Sequence, residues 1–164
     1  MADAEFDRIV RAHGAALSRV AWGYASNAAD HDDLVQEILI AIWRALPRFR
    51  GDASERTYVF RIAHNRGITF AARRREHEPL TESSAASDPA PGADEALDAA
   101  HERARLVAAV RTLADPLRQA VLMRLEGFAI AEIAVAQGVT ENNVSVRLAR
   151  ARDRLRELLG EGAP

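Results

Sequence analysis

The sequence predicts an all-α protein: two small helical domains joined by a flexible acidic linker. Three observations carry this. Outside one stretch, apolar residues recur at helical spacing, and no run alternates apolar and polar as a half-buried strand does. That stretch, EHEPLTESSAASDPAPGADEALDAA (Glu76–Ala100), combines three prolines, several serines and many acids with little apolar periodicity. Charge is also blocked along the chain. Residues 1–43 hold three arginines against seven acids, 44–75 nine against two, 76–102 none against eight, and 103–164 ten against seven. A basic block, an acidic spacer and a mildly basic tail fit two surfaces on a polyanion, joined by a segment that avoids it. The expected division is 1–75, 76–100 and 101–164, each folded part small for independent stability.

In the first part, Phe6, Ile9, Val10, His13, Leu17 and Val20 follow the spacing of one helix. A second is expected after Asp30 as N-cap, with Asp32 and Asp33 favourably placed in its first turn. Its stripe is Leu34, Ile38, Ile42 and Leu46, flanked by Val35, Leu39 and Trp43, and Pro47 ends it. Arg48–Ser54 reads as a loop, and a third helix, about Glu55–Arg75, becomes steadily more basic. In the second part, Asp115 is the expected cap and Pro116 the first helical residue of a helix bearing Leu117, Val121, Leu122 and Leu125. Gly127 stops it. A short helix Ile130–Gln137, a tight turn at Gly138 and a long helix from about Glu141 to Leu159 follow, and no internal repeat is visible.

Composition narrows the function classes. The absence of cysteine excludes a disulfide framework and thiolate zinc sites, and fits a reducing compartment. The start, MADAEFDRIV, is acidic and no long apolar run follows, so neither a signal peptide nor membrane insertion is expected. All 22 basic residues are arginine, which grips phosphate and guanine bidentately as lysine does not. His31-Asp32, with His13, His64 and Asp52, would fit an all-helical metal phosphohydrolase of the HD type. Against it, His31-Asp32 opens a capped helix and the other histidines are scattered. No Ser-His-Asp grouping or phosphate-cradling glycine loop is present. The chain is therefore expected to be no enzyme, with no catalytic residue, cofactor or metal.

IAEIAVAQGVTENNVSVRL has the layout of a helix-turn-helix. Ala134 is small where two helices would cross, Gly138 can take the left-handed turn conformation, Val144 can pack the second helix on the first, and Thr140 is a good N-cap. At 100° per residue, Val144, Leu148, Ala151 and Leu155 form one inward stripe. Opposite lie Asn142, Asn143, Val146, Ala149 and Arg150, with Arg147 and Arg154 alongside. Such a helix suits a major groove, where Asn reads adenine, Arg reads guanine, and Ala or Val touches a thymine methyl. The third helix interleaves Arg56, Arg61, Arg66 and Arg73–Arg75 with Tyr58, Phe60, His64 and Phe70, a mixture suited to single-stranded or distorted DNA. Phe60 and Phe70 are expected in the core and Tyr58 exposed.

These residues reach a family. DHDDLVQEILIAIWRALPRFRGDASERTYVFRIAHNRGITFAARRR resembles region 2 of the extracytoplasmic-function (group 4) bacterial sigma factors of the sigma-70 family. LADPLRQAVLMRLEGFAIAEIAVAQGVTENNVSVRLARARDRLRELL resembles their region 4. The resemblance implies a cytoplasmic promoter-specificity subunit of bacterial RNA polymerase, with promoter DNA, core polymerase and an anti-sigma factor as partners. By position, Asp32, Asp33, Gln36 and Glu37 would meet the β′ clamp helices. Arg50 to Tyr58 would form the base-capturing loop and its support, so that Arg50, Arg56 and Tyr58, with Arg61, Asn65, Arg66, Arg73 and Arg74, would serve the −10 element. Thr140, Asn142, Asn143, Ser145, Arg147 and Arg150 would hold the −35 duplex, and the second domain would touch the β flap. The linker would run near the polymerase active site and RNA exit path.

The chain departs from the family pattern at Tyr58-Val59, where Trp-Leu is usual, and at Thr69, Ser145 and Ala149; these positions bear on the promoter sequence. Two other readings stay open: a stand-alone helix-turn-helix regulator binding duplex DNA without polymerase, and a family member that keeps the fold but is held inactive. DDLVQE argues against the first, because an acidic face repels DNA and calls for a protein partner. Free, the two domains would either move independently or pack together and mask their DNA faces. The acidic linker beside basic helices is expected to keep the isolated protein off DNA.

Overall fold

Seven α-helices and one 3-10 turn make up the regular structure among the residues that the computed structural model describes, 1–77 and 95–160. They are α1 (Ala2–Trp22), α2 (Ala28–Ala45), a 3-10 turn at Leu46–Arg48, α3 (Glu55–His77), α4 (Glu95–Arg111), α5 (Asp115–Leu125), α6 (Ile130–Gln137) and α7 (Glu141–Leu159). No strand occurs among the described residues. Residues 78–94 of the expected linker, and 161–164, lie outside them. The helix α4 starts within the segment read as linker, at Glu95.

The α2 stripe is as its periodicity requires: Leu34, Ile38, Ile42 and Leu46 are all buried. Its start is corrected. Asn27, not Asp30, is the N-cap, and its side chain accepts from the Asp30 N–H at 2.9 Å. Both residue types cap well. Asp30 is instead drawn inside the first turn, buried, where its carboxylate pairs with Arg74 of α3. A similar correction applies at α5. Ala114 holds the cap position without a side-chain bond, while Asp115 lies in the helix and pairs with Arg118.

The buried face of α5 also differs from expectation. Arg118, Gln119, Ala120 and Met123 are buried, whereas Leu125 is 66% exposed. The reason is tertiary: α5 packs against α6 and α7 and also against α3 of the first half, so it is covered from more than one side. Residues 9–70 supply Ile9, Leu17, Val20, Leu34, Ile38, Val59, Phe60 and Phe70 to a cluster that runs without a break into Ala120, Met123, Phe128, Ile133 and Val144. A smaller cluster of Val110, Leu113 and Ala151 closes the far side of the second half. Phe60 and Phe70 are core, as expected.

One glycine sets the approach of α3 to the end of α1. A Cβ on Gly67 would lie 2.5 Å from the Tyr24 ring, so nothing larger fits without moving that ring.

Candidate polymerase and promoter surfaces

The helix-turn-helix is built as its sequence dictates. Gly138 ends α6 in the left-handed region at φ 66°, and Thr140 caps α7 by accepting from the Asn143 N–H at 3.1 Å. At the start of α6, Glu132 reaches back to accept from the Ala129 N–H at 2.7 Å. Ala134 and Val144 are buried where the helices meet, and Ala151 anchors the middle of α7. This leaves Thr140, Asn142, Asn143, Ser145, Val146 and Arg150 exposed at its N-terminal end and outer face. Arg147 is partly turned aside, donating to the Gln137 Oε1 at 3.0 Å, and Ala149 is half-buried.

On α3, helical spacing puts Tyr58, Arg61, Asn65 and Thr69 in one stripe, with Arg66 and Arg73 at its border. Asn65 is exposed and Arg61 and Arg66 are half-buried. Tyr58 is more enclosed than expected. Its hydroxyl donates to the Ala45 carbonyl at 3.0 Å, its ring lies 4.8 Å from Phe49, and Arg61 sits 5.5 Å from its centroid. Arg50 is exposed in the loop before α3. Arg56 stands apart: it falls on the side of Phe60, Ala63 and Gly67, away from this stripe.

On α2, Asp32, Asp33 and Gln36 are exposed, and Glu37 is half-buried. Glu37 accepts from Arg73 at 2.8 Å, so the acidic face of α2 and the basic end of α3 are joined by two ion pairs, Glu37–Arg73 and Asp30–Arg74. Between them lies a shallow depression lined by Asp33, Gln36, Glu37, Ile40, Phe70 and Arg73. Two residues here were not singled out from sequence as a surface. Ile40 is 49% and Trp43 48% exposed, and Trp43 was read as flanking the core. Ile40 and Trp43 stand three residues apart on α2, and the Trp43 indole N–H donates to Asp3 Oδ1 at 3.2 Å. The signal in the sequence is helical phase: Ile40 lies midway between Ile38 and Ile42, and Trp43 one position past Ile42, so neither falls on the Leu34–Ile38–Ile42 stripe.

Among the described residues no group of three or more His, Cys, Asp or Glu side chains could hold a metal ion, and no helix is long and apolar enough to cross a membrane. His31, central to the phosphohydrolase alternative, is stacked on Trp22 with ring centroids 4.1 Å apart and hydrogen-bonded to Ser18.

Comparison with known proteins agrees with this layout. The family model for sigma-70 region 2 matches residues 9–77, and that for sigma-70 region 4 matches residues 103–155. The RNA polymerase sigma factor NccH of Alcaligenes xylosoxydans xylosoxydans is 32% identical over 166 residues, covering 94% of this chain and 86% of the relative. The chain belongs to the ECF sigma factors of the sigma-70 family. It is thus a promoter-specificity subunit of RNA polymerase, and the stand-alone regulator is not favoured. The ECF sigma factor SigM of Mycobacterium tuberculosis is 30% identical over 155 residues, covering 94% of this chain and 77% of that one. Among solved structures, CnrH in complex with the cytosolic domain of CnrY matches with a TM-score of 0.70 at 26% identity, covering 96% of this chain and 89% of that chain. A structure of the sigma factor RpoE with the anti-sigma factor NepR from Bartonella quintana shares the fold, with a TM-score of 0.72 at 24% identity over 95% and 97% of the two chains.

In this sigma factor the two regions are packed on each other. Arg19 of α1 makes a two-pronged pair with Glu126, at 2.7 and 2.9 Å. Arg56 of α3 donates to the Glu126 carbonyl and lies 3.8 Å from the Phe128 ring centroid. Phe128 in turn sits 4.9 Å from Phe60. Arg111 donates to the Trp22 carbonyl at 2.9 Å. Arg118 covers the Tyr24 ring at 4.5 Å, and the Tyr24 hydroxyl is 2.7 Å from the His64 Nδ1. Burial, with Arg118 nearby, pushes His64 down to about 3, so the imidazole is neutral throughout the physiological range. Burial also raises the Tyr24 phenol.

Proposed function

We propose that region 2 of this sigma factor engages core polymerase through α2 and the −10 element through α3, while region 4 reads the −35 element through α7. Asp32, Asp33, Gln36 and Glu37, extended by Ile40 and Trp43, form the contact for the β′ clamp helices. Tyr58, Arg61, Asn65 and Arg66 meet the −10 strand, Arg50 approaches it from the preceding loop, and Arg73 and Arg74 hold backbone phosphate at its edge. In region 4, Asn142, Asn143 and Arg150 face base edges, whereas Thr140, Ser145 and Arg147 fix the helix on phosphate or support it. The second region also meets the β flap. The chain supplies no catalytic step of its own; polymerisation belongs to its partner, in the cytoplasm. Relatives bound to CnrY and to the anti-sigma factor NepR support an anti-sigma partner for this chain as well.

The observation that carries this reading is the outward face of α7. Its Asn142–Asn143 pair and Arg150 are exposed at the end capped by Thr140, on a helix whose other side is anchored by Val144 and Ala151. An ordinary solvated helix would be expected to mix more acid into that end, where Glu141 is the one acidic residue between 141 and 152.

Two sets of substitutions separate the roles. Asp33→Arg with Gln36→Ala should weaken core binding at least tenfold, because it sets a positive charge where an acidic patch is needed. Asn142→Ala with Asn143→Ala should leave core binding unchanged and relax −35 sequence preference by about 10- to 100-fold, since a well-placed bidentate contact discriminates bases by about 1–3 kcal/mol. Equal effects of both sets on core binding would contradict the division of labour.

A further inference from the structure

We infer that a groove on the seam between regions 2 and 4 is a binding site for an aliphatic anion, a medium-length alkyl chain ending in a carboxylate or phosphate, with Arg111 as the partner of its head. The site stands on the packing of the two regions and not on the roles proposed for α2, α3 and α7. Its volume is about 700 Å³, in the range of small-molecule sites. Val20 and Trp22 of α1 line it from region 2, and Val107 of α4 with Leu122 and Leu125 of α5 line it from region 4.

The walls select an alkyl chain. Trp22 is the one ring among the lining residues, and it is stacked on His31 at 4.1 Å, so the groove offers no aromatic clamp for a nucleobase. Val20, Val107, Leu122 and Leu125 are aliphatic, and Leu125 stays 66% exposed in the packed chain. Arg103, Val107 and Arg111 recur at every fourth residue and share one face of α4. They span about 12 Å, which an extended chain of about ten carbons matches.

The charges select an anion. Arg111 is half-buried and spends its Nε on the Trp22 carbonyl at 2.9 Å. Burial holds its pKa below the ordinary arginine value, and no carboxylate acts against that. Arg19 and Arg118, near the same seam, pair with Glu126 and Asp115; Arg111 has no such acid among the described residues. A desolvated guanidinium with open donors is costly, and a carboxylate or phosphate offsets that cost through charge-assisted bonds. Glu126 does not oppose the head, because Arg19 already holds both its carboxylate oxygens. Arg103, at the other end of the span, is exposed, and its Nε donates to the Ala99 carbonyl.

Trp43→Phe leaves Trp22 as the sole tryptophan, so its emission reads the groove. This chain is titrated with decanoate, decyl phosphate, decanol and decyltrimethylammonium, each below its micelle concentration. The site predicts a saturable change with at least one anion, at least tenfold tighter than with the neutral or cationic chain, and the tighter of the two anions tells carboxylate from phosphate. Arg111→Gln should weaken the anions at least tenfold and leave decanol unchanged. Leu125→Glu, at an exposed position, should weaken decanol and the anions, and the anions most. Thermal unfolding checks that each variant folds, and if Arg111→Gln does not, Leu125→Glu decides alone. Equal binding of all four chains, anion binding that ignores Leu125→Glu or a folded Arg111→Gln, or no saturable signal with either anion would overturn the site. So would binding of a synthetic acidic, leucine-containing peptide where neither anion binds, which would mark a protein-docking groove instead.

Discussion

Phe60→Ala should lower folding stability by about 3–5 kcal/mol, the usual cost of removing a wholly buried phenylalanine. The high end is expected here because the ring has packed partners on more than one element. It meets His13 of α1 edge-on at 5.9 Å and Phe128 of region 4 at 4.9 Å, so no single neighbour can collapse into the hole. Denaturant unfolding followed by circular dichroism reads the change as a lower midpoint with a similar slope. A loss below 1 kcal/mol would mean that regions 2 and 4 do not share this core in solution. Phe60→Leu, which fills most of the same volume, should recover the larger part of the loss.

The second large effect is a pH dependence centred on His64. The unfolded chain titrates this group near the ordinary value of 6.5, the folded chain only near about 3. Between those values the unfolded state binds the extra proton, so stability is fully present above pH 6.5 and falls as the solution is acidified. From pH 7 to pH 5 the loss from this one residue is about 2 kcal/mol. Lowered by its own partial burial, His13 acts in the same direction. The Glu55 carboxylate, held down by its bond to Arg8, loses its contribution only as pH falls below the carboxylate range, outside this window. His64→Gln keeps a polar side chain beside Tyr24 and removes the titration, so its stability should vary less over this pH range by that amount. An unchanged slope in the variant would show that His64 is protonated or solvent-reached in the folded chain.

Phe60 touches a seam whose residues sequence did not reveal, and His64 is buried beside it, against Tyr24 with Arg118 nearby. Periodicity located the helices, and the turn chemistry of Gly138 and Thr140 gave α6 and the start of α7 because those signals are local: a left-handed glycine and a hydroxyl acceptor three residues from its donor. The caps at Asn27 and Ala114 are hard to place from sequence because each stands near an aspartate that could cap equally well or better; the tertiary pair with Arg74 draws Asp30 into α2, and a local pair with Arg118, one turn on, holds Asp115 inside α5. Leu125 and Trp43 looked like core because spacing tells which residues share a helix face, but not what covers it. Arg56 and Glu126 are 70 residues apart, and a contact of that separation leaves no trace in any periodic pattern. The resemblance assigned Arg56 to promoter DNA; in the folded chain it faces region 4. That Asp32, Asp33 and Gln36 on α2 and Asn142, Asn143 and Arg150 on α7 are exposed was legible because charge, caps and helical phase converge there.

The most direct test of the central claim is run-off transcription by core RNA polymerase over a promoter library, with and without this protein. The account predicts transcripts that appear only when the protein is added and that start downstream of a shared pair of −35 and −10 sequences. No transcripts above those of core alone, together with footprints of the isolated protein on duplex DNA, would contradict it.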